Sequence, residues 1–484
     1  MTTRQDVLII GAGILGCFAA RSLSRYKLDI AVLEAREDVC TGITRANTGI
    51  IYQGYDQHPG SLKAQLCRTS SMEFPALCSE LDVNHRKCGL LMLSFGSNAD
   101  RVLEKKLANA KAAAIPNVSI IGSDDVYKLE PHLKGGISHA LYARDTYTVN
   151  PWELGIAAFE NAAANGVEFH FNEEVYDIRR ESGEFTVYSN GGIWRTKRLL
   201  LCGGFHSGRL WEMVSRPQVK IIPQAADYLV FDTKTGGIID HVISIEPEIK
   251  GEGLTLVPTA DGNILAGPTR RDVASEDPDY STESEGLDEL SLKLKDLIPD
   301  FPPDKVIRNF GAARPNPFYV DDNRSINDFV ILEEDGLFGL IGVKTPGITC
   351  AAELGKYITN RLISTFERQP EANVSFDPAR RGIIRVHKLI DKDPEAFIAL
   401  PEEYHDIVCR CMNVSRGEIL EAIRRGATTV DGIKRRTGAG MGRCQGGYCS
   451  EKILHILGEG ADIYSITKDG TGSEILAGGQ DGAL

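Results

Sequence analysis

The N-terminus combines a buried strand, a glycine-rich turn and a helix, and this combination constrains the fold more than any other stretch. Val7 to Ile10 form a continuous apolar run, and the turn Gly11-Ala12-Gly13-Ile14-Leu15-Gly16 leads from it into a helix-like stretch reaching about Tyr26. A second apolar run, Leu28 to Leu33, ends in Glu34, roughly twenty positions after the first glycine. The glycines allow a tight turn and close approach to a pyrophosphate, and the acidic residue can accept from ribose hydroxyls. The pattern predicts a dinucleotide-binding unit, and its spacing alone does not separate NAD from FAD.

Composition narrows the class of protein. The chain has 484 residues, 42% of them hydrophobic, which is enough for two or three domain-sized cores. The net charge of −13 argues against a nucleic-acid binder and against docking on an anionic membrane. No apolar run approaches the ~20 residues that span a bilayer, and the first strand begins without a signal-peptide pattern. We therefore expect a cytoplasmic protein that reaches a membrane only through a partner.

Four cysteines near the C-terminus form two tight pairs, Cys409-x-Cys411 and Cys444-x4-Cys449. Four thiolates in such pairs can bind a [2Fe–2S] cluster or a tetrahedral zinc ion, and free thiols are the third possibility. The first pair is tighter than the usual Cys-x2-Cys zinc knuckle, and the glycines around the second pair allow the backbone to wrap a cluster. The pattern favours an iron–sulfur cluster over a zinc ion or free thiols. The other seven cysteines show no pairing pattern, and in a reducing compartment we expect inert thiols.

Several further segments resemble a known flavoprotein superfamily. Residues 44–54 (TRANTGIIYQG) and 58–66 (HPGSLKAQL) resemble the D-amino-acid-oxidase-like flavoproteins, within the branch of L-2-hydroxyglutarate and anaerobic glycerol-3-phosphate dehydrogenases. Residues 199–207, 310–315 and 340–349 resemble that superfamily's later motifs, in the same order. The cysteine segment resembles the bacterioferritin-associated ferredoxin type, in which the four cysteines are the cluster ligands. The resemblance therefore implies FAD and a [2Fe–2S] cluster.

The resemblance also implies the fold class and the domain boundaries. It implies an α/β chain: a Rossmann-like FAD-binding domain with an inserted antiparallel-sheet substrate domain, followed by a small α-rich [2Fe–2S] domain. The expected boundaries are 1–80, 150–210 and 310–365 for the FAD-binding domain, 81–149 and 211–309 for the substrate domain, 366–400 for a linker, 401–458 for the cluster domain and 459–484 for a polar tail.

The resemblance places a flavin site on matching positions of this chain. The implied FAD-binding residues are Gly11, Ala12, Gly13, Ile14, Leu15, Gly16, Glu34, Ala35, Arg36, Thr44, Asn47, Thr48, Gly49, Ile50, Val175, Gly203, Gly204, Gly311, Arg314, Lys344, Gly347, Ile348 and Thr349. A lysine and a helix N-terminus beside the flavin would stabilise its anionic reduced form by electrostatics.

The catalytic candidates follow from what dehydrogenation needs, which is cations for an anionic substrate and a proton acceptor. Arg314 and Lys344 are the first choices for the cations. Arg270 and Arg271 are the second choices, with an ion-pair role as the alternative. Tyr52 stands where relatives commonly have a histidine, and the arginine that glycerol-3-phosphate enzymes carry near Asp56 is missing.

Tyrosine is mainly a donor or orienting group, so the base is expected elsewhere or the substrate differs. His206 and His58 are the candidates for that base.

An iron–sulfur cluster in a flavoprotein indicates a dehydrogenase rather than an oxidase, because the cluster accepts the two electrons of a reduced flavin one at a time. The expected reaction is oxidation of a small anionic alcohol, glycerol 3-phosphate to dihydroxyacetone phosphate. Electrons would pass to a quinone-linked carrier or to a partner subunit, either a second flavoprotein or an iron–sulfur protein, in an oligomer or hetero-complex. The alternatives are an L-2-hydroxy acid, an opine or hydroxyproline-type amine, or an electron-transfer subunit without a substrate. The basic residues of 424–443 are expected either as a solvated helix face or as a patch that compensates the cluster and docks an acidic partner.

Overall fold

The computed structural model describes residues 2–245, 253–459, 466–468, 470 and 473. These residues form two units. The first unit consists of Met1–Leu33 and Cys40–Arg380, and the second of Glu34–Val39 and Arg381–Leu484. In the described part of the chain, no helix combines the length and the apolar character needed to cross a bilayer.

The first unit contains most of the regular structure. Its strands are β1 Thr2–Gln5, β2 Val7–Ile10, β3 Ile30–Leu33, β4 Ile50–Ile51, β5 His85–Lys87, β6 Leu90–Ser94, β7 Val118–Gly122, β8 His139–Ala143, β9 Tyr147–Val149, β10 Glu168–His170, β11 Val175–Glu181, β12 Glu184–Ser189, β13 Gly192–Thr196, β14 Leu199–Leu201, β15 Val219–Phe231, β16 Val242–Ile245, β17 Leu254–Pro258, β18 Ile264–Gly267, β19 Arg271–Asp272, β20 Val306–Tyr319, β21 Val330–Glu334 and β22 Leu337–Ile341. Its helices are α1 Ile14–Leu23, α2 Leu62–Leu81, α3 Ser97–Ala112, α4 Ser123–Leu129, α5 Pro151–Ala164, α6 Ser207–Glu212, α7 Ser284–Leu297 and α8 Gly347–Ile363.

A mainly parallel sheet forms the centre of the first unit, in the order β10-β3-β2-β14-β22-β21, with β21 antiparallel at its edge. Its inner strands are continuous apolar runs because helices cover both faces of such a sheet. Every residue of β2, β3 and β14 is buried. Helix α1 packs against α5 and α8. Helix α5 starts at the N-cap Asn150, which accepts from the Glu153 N–H, and its first residue is Pro151.

A second, mainly antiparallel sheet runs in the order β19-β15-β18-β17-β16-β6-β8-β7, and β20 also pairs with β15. The expected substrate-domain segments 81–149 and 211–309 contribute β7, β15, β17 and β18 to this sheet. Strands β16 and β6 pair in parallel, which joins the two sequence insertions within one sheet. The core on this sheet includes Leu91, Phe231, Ile243, Leu256 and Leu294. Strand β20 runs along β15 from Val306 to Tyr319, so residue 314 lies on this sheet.

Two smaller sheets complete the first unit. One has the order β1-β13-β12-β11, and the other has the order β4-β9-β5. The second brings β4, directly after the turn at residues 44–49, next to β9, directly before α5. This pairing places residues 44–49 next to the start of α5, the helix that leads into β10 of the parallel sheet.

The second unit is mostly helical. It contains α9 Val386–Lys392, α10 Pro394–Ile398, β23 Ile407–Cys409, β24 Val414–Ser415, α11 Arg416–Arg424, α12 Val430–Thr437 and α13 Ser450–Leu457. Its core includes Val408, Ile419, Ile433 and Ile453. Helix α11 starts with a capping box between Ser415 and Glu418, which satisfies two otherwise unpaired N–H groups. The predicted linker over 366–400 contains α9 and α10, and the predicted tail over 459–484 lies mostly outside the described residues.

Candidate functional site

The turn between β2 and α1 has two positions, Gly11 and Gly16, that accept only glycine. Gly11 has φ +101°, and a Cβ there would lie 2.5 Å from the Cys202 carbonyl oxygen. A Cβ at Gly16 would lie 2.0 Å from the Gly11 carbonyl oxygen, so helix and turn are in direct backbone contact. A Cβ at Gly13 would meet Thr44 Oγ1 at 3.7 Å, an ordinary contact distance, so the described residues leave room beside the backbone there. The geometry fits a pyrophosphate that approaches the backbone at Gly13.

The N-terminus of α1 offers backbone donors beside this turn. Its N-cap is Gly13, which has no side chain to accept from the first N–H groups. Ile14 donates its N–H to the buried Thr44 hydroxyl at 3.1 Å. Asn47 shapes the loop that presents Thr44, because its amide donates to the Thr44 carbonyl at 2.9 Å and accepts from the Gly49 N–H at 2.8 Å. Three of the predicted FAD-binding positions therefore form one hydrogen-bonded loop against the helix end.

Other predicted FAD positions lie at the ends of β14, β11 and β3. Gly203 and Gly204 follow β14, and Gly204 has φ +60°. Val175 opens β11 and is partly buried against the core of the first unit. Glu34 directly follows the last residue of β3, and its carboxylate accepts from the Arg36 N–H at 3.0 Å.

The start of α8 is joined to β4 by a threonine. Thr349 Oγ1 accepts from the Tyr52 N–H at 3.1 Å and donates to the Ile50 carbonyl at 3.4 Å. Helix α8 begins at Gly347, whose N–H donates to the Lys344 carbonyl at 2.7 Å. The hydrogen bond to Thr349 fixes the Tyr52 backbone against α8. The Tyr52 side chain is half-buried and packs beside the core of the second sheet. The structure thus brings Tyr52, Lys344 and the α8 N-terminus into one region.

Arg314 is held in β20 beside a stacked aromatic pair. It lies opposite Gln224 in the β15–β20 register, and its guanidinium donates to the Tyr228 hydroxyl. Tyr228 stacks on Phe310 with ring centroids 4.7 Å apart and 10° between the planes. Burial raises the pKa of Tyr228, and the neighbouring Arg314 opposes that rise. The hydroxyl therefore stays protonated and orients the guanidinium.

Lys344 is surrounded by other cations. Its ammonium donates to Asn316 Oδ1 at 3.0 Å. Burial lowers the pKa of Lys344, and the positive charges of Lys63, Arg314 and Arg270 lower it further. Like charges gathered around a half-buried lysine disfavour its ammonium form unless an anion joins them. The arrangement is therefore suited to an anionic ligand.

Lys63 is the cation that the sequence interpretation missed. It lies in the first turn of α2, 4% exposed, with its ammonium 5.3 Å from the centroid of the Phe329 ring. Burial lowers its pKa, which Asp328 and Asp56 oppose. Asp328 also accepts from the Leu62 and Lys63 N–H groups, both at 3.2 Å, and so stabilises the start of α2. The sequence signal that identifies Lys63 as a candidate is its position within residues 58–66, the stretch that resembles the flavoprotein superfamily.

The remaining candidates have other surroundings. Arg271 pairs with Asp279 at 2.8 Å and with Glu283 at 3.2 Å. This is the ion-pair role that the sequence analysis gave as the alternative for Arg271. His206 and His58 are both exposed. A Cβ at Gly311 would lie 2.2 Å from the Tyr280 carbonyl oxygen, so this glycine permits a close backbone contact.

In the second unit, the four C-terminal cysteines form two sulfur contacts, and among the described residues no three or more His, Cys, Asp or Glu side chains are gathered closely enough to hold a metal ion. Cys411 Sγ lies 3.4 Å from Cys444 Sγ, and Cys449 donates to Cys409. That donated hydrogen bond lowers the pKa of Cys409 to about 6, helped by the Gly440 and Met412 N–H groups and opposed by burial. The Tyr448 N–H likewise lowers the pKa of Cys444. Backbone N–H groups that donate to Cys409 and Cys444 stabilise the thiolate form that a cluster ligand needs.

The basic residues of this unit are not all on its surface. Arg435 and Arg436 are 7% and 3% exposed, and both bind the carboxylate of the buried Asp38. A solvated helix face is therefore wrong for these two residues, and so is the docking part of the other interpretation, whereas compensation of the cluster's charge stays a prediction. The reason is that Asp38, far away in the sequence, supplies a buried partner that no local pattern reveals.

Two family models match the chain. The model described as FAD dependent oxidoreductase (DAO) covers residues 6–361, and the BFD-like [2Fe-2S] binding domain covers residues 407–459. A glycerol 3-phosphate dehydrogenase of Caloramator mitchellensis is 34% identical over 481 residues, 98% of this chain and 98% of that protein. The anaerobic glycerol-3-phosphate dehydrogenase subunit A1 of Haloferax volcanii is 22% identical over 94% of this chain and 83% of its own length.

Among solved structures, the dithionite-reduced L-alpha-glycerophosphate oxidase from Mycoplasma pneumoniae with FAD bound matches with a TM-score of 0.70 at 22% identity. The match covers 78% of this chain and 98% of that one. This likeness establishes the fold. Together the comparisons confirm the predicted fold class and the two predicted cofactors, FAD and a [2Fe–2S] cluster.

Proposed function

The chain belongs to the family of FAD-dependent oxidoreductases and carries a BFD-like [2Fe-2S] binding domain, and we propose that it oxidises glycerol 3-phosphate to dihydroxyacetone phosphate. The observation that carries this proposal is the gathering of Lys63, Arg314 and Arg270 around Lys344, in a chain whose net charge is −13. The names of the Caloramator and Haloferax relatives support the same substrate.

FAD is proposed to bind along the carboxyl ends of the parallel sheet. The turn at Gly11–Gly16, the α1 N-terminus and the Thr44–Gly49 loop would hold the pyrophosphate, and Glu34 would accept from the ribose. Gly203, Gly204 and the α8 N-terminus at Gly347–Thr349 would complete the site. When bound, FAD supplies the hydride acceptor for the substrate carbon.

The substrate anion is proposed to bind between Lys344 and Arg314, with Lys63 adding a third positive charge. A phosphate carries two negative charges near neutral pH, so it neutralises this cluster better than a single carboxylate does. Tyr52 is proposed as an orienting group beside the α8 N-terminus, because its N–H is fixed by Thr349. The missing arginine near Asp56 is thus compensated by Lys63, which comes from the following helix.

Cys409, Cys411, Cys444 and Cys449 are proposed as the cluster ligands. The support is that Cys411 contacts Cys444, that Cys449 donates to Cys409, and that backbone N–H groups donate to Cys409 and Cys444. The bound cluster supplies a one-electron relay to an external carrier or partner subunit, which favours a dehydrogenase over an oxidase. The Haloferax relative is itself named as a subunit.

The test is an anaerobic visible spectrum of the full chain, loaded with FAD and iron–sulfur, before and after addition of substrate. Glycerol 3-phosphate is expected to bleach both the flavin bands and the broad cluster absorbance. L-2-hydroxyglutarate, proline and hydroxyproline serve as matched competitors. Bleaching by one of those, with no response to glycerol 3-phosphate, would replace the proposed substrate. A flavin that only a reduced protein partner can bleach would indicate an electron-transfer subunit.

A further inference from the structure

Hydrogen bonds hold both the backbone and the ammonium of Lys344. The Lys344 carbonyl accepts from the Gly347 N–H at 2.7 Å, in the turn that leads into α8. The ammonium donates to Asn316 Oδ1 at 3.0 Å, and Asn316 belongs to a different element, β20. The lysine side chain therefore reaches from the α8 turn to the second sheet, where an amide oxygen receives its charged end.

The segment that leads to Lys344 runs close against β20. A Cβ at Gly342 would lie 2.7 Å from the Pro317 Cβ, closer than real Cβ atoms approach one another. Gly342 also has φ +63°, so two separate features of this position need glycine. Pro317 directly follows Asn316 in the strand. The glycine thus permits the close approach that brings the lysine within hydrogen-bonding distance of the amide.

Asn316 and Arg314 lie on the same face of the second sheet. They are two positions apart in β20, and side chains at such spacing point to the same side of a strand. The residues opposite them in the β15 register are Ile222 and Gln224. Asn316 therefore presents its amide on the face that carries Arg314, the second cation of the proposed anion site.

The partner of the Lys344 ammonium is a neutral amide. In contrast, Lys87 and Lys134 bind carboxylates, those of two aspartates. The charges that act on the pKa of Lys344 are all positive and come from the three cations already described, so no described carboxylate compensates this lysine. Asn316 therefore fixes the position of the ammonium and leaves its charge in place.

We propose that Asn316 is a positioning residue that holds the Lys344 ammonium in place for a doubly charged substrate anion. This inference rests on the proposed function, in which the anion binds between Lys344 and Arg314. A carboxylate at position 316 would hold the lysine as firmly, but it would cancel the charge that attracts the anion and repel the anion itself. The neutral side chain at position 316 thus helps to set the charge that the site accepts.

The probe for this inference is sulfate, which keeps two negative charges across the pH range used and does not react. The full chain, loaded with FAD and the iron–sulfur cluster, is titrated with sulfate by calorimetry from about pH 6 to about pH 10. The sulfate dissociation constant of the native chain should rise with pH as Lys344 loses its proton. Because the pKa of Lys344 is lowered, this rise should begin below the ordinary lysine range.

Two variants separate the position of the ammonium from its charge. Asn316→Asp should weaken sulfate binding at least about tenfold near neutral pH, because it adds a like charge beside the anion. It should also move the loss of binding to higher pH, because an adjacent carboxylate raises the pKa of Lys344. Asn316→Leu removes the acceptor without adding a charge, so it should weaken sulfate binding about tenfold without moving the loss of binding to higher pH.

Asn309→Asp is the matched control. Asn309 also lies in β20, but it is exposed and stands opposite Leu229 in the register. Its sulfate dissociation constant should stay within about twofold of the native value at each pH. The amount of FAD per chain, read from the visible spectrum, shows that each variant is folded and loaded. If Asn316→Asp does not load FAD, the comparison of Asn316→Leu with the control decides the proposal.

Sulfate binding to Asn316→Leu that is as tight as binding to Asn309→Asp would overturn the proposal. The same pH profile for both Asn316 variants would also overturn it, because a purely structural residue would give that result. Reduction of the dye dichlorophenolindophenol by glycerol 3-phosphate tests the proposed function separately on the native chain. Absence of dye reduction would contradict the proposed substrate, while the sulfate dissociation constants would still decide the role of Asn316.

Discussion

Replacing Asp38 with asparagine tests the buried charge cluster of the second unit. The Asp38 carboxylate, 1% exposed, accepts from Arg435 Nη2 at 2.9 Å and from Arg436 Nη1 and Nη2 at 2.6 and 2.7 Å. Asparagine keeps the size but removes the negative charge, so both buried guanidinium groups lose the carboxylate that they bind. Breaking such a pair costs about 3–5 kcal/mol. A single charged hydrogen bond is worth about 1.5–3 kcal/mol, so the loss of two or three agrees with that range.

The assay is urea unfolding of the full loaded chain, followed by the loss of cluster absorbance. Asp38→Asn is expected to lower the free energy of unfolding of the second unit by about 3–5 kcal/mol. Asp391→Asn is the matched control, since Asp391 is an exposed aspartate on α9, and its effect should stay within about 0.5 kcal/mol. If Asp38→Asn costs no more than Asp391→Asn, the buried pair does not stabilise this unit and the reasoning fails.

The same pair predicts a pH dependence. Burial alone would raise the pKa of Asp38, but Arg436 and Arg435 outweigh burial and leave that pKa below its ordinary value. The stability that Asp38 contributes is therefore fully present above the ordinary pKa of about 4, and it is lost as the pH falls through the lower native value. The difference in unfolding free energy between the native chain and Asp38→Asn should shrink on acidification. A difference that stays constant into strong acid would contradict the lowered pKa.

Three further predictions concern the first unit's cations and the cysteines. Lys63→Met should raise KM for glycerol 3-phosphate roughly 10- to 100-fold. The control Lys356→Met, at an exposed lysine, should leave KM unchanged. Equal KM values for the two variants in steady-state assays would show that Lys63 does not bind the substrate. Because the pKa of Lys344 lies below the ordinary lysine value, KM should rise with pH before the ordinary range near about 10 is reached; a KM that is constant up to that range would refute this. Cys411→Ser should abolish the cluster absorbance while FAD per chain stays at the native level, and loss of FAD as well would show that the two cofactors do not load independently.

Local pattern was sufficient for the dinucleotide-binding elements. The apolar run Val7–Ile10 is β2, and the glycine turn leads into α1. A strand that is buried on both faces needs apolar residues, and the positive φ at position 11 needs glycine, so residue type alone indicates both features. Helix α5 likewise starts at a cap, Asn150, that is followed directly by Pro151. In both cases the interacting residues are close in the sequence. The cysteines are different, because the sulfur contacts in the structure join Cys411 to Cys444 and Cys409 to Cys449, across 33 and 40 positions of the chain.

Tertiary structure decided which distant residues meet. Lys63 and Lys344 belong to different elements, and their proximity follows from the packing of α2 against α8. Arg436 meets Asp38 across 398 positions of the chain, so a residue that resembles a surface charge is buried. The exposure of Cys411 and the burial of Cys409 differ although the two are separated by one residue. Periodicity and spacing describe neighbours along the chain, whereas burial, pKa and counterions depend on what the fold places around each side chain.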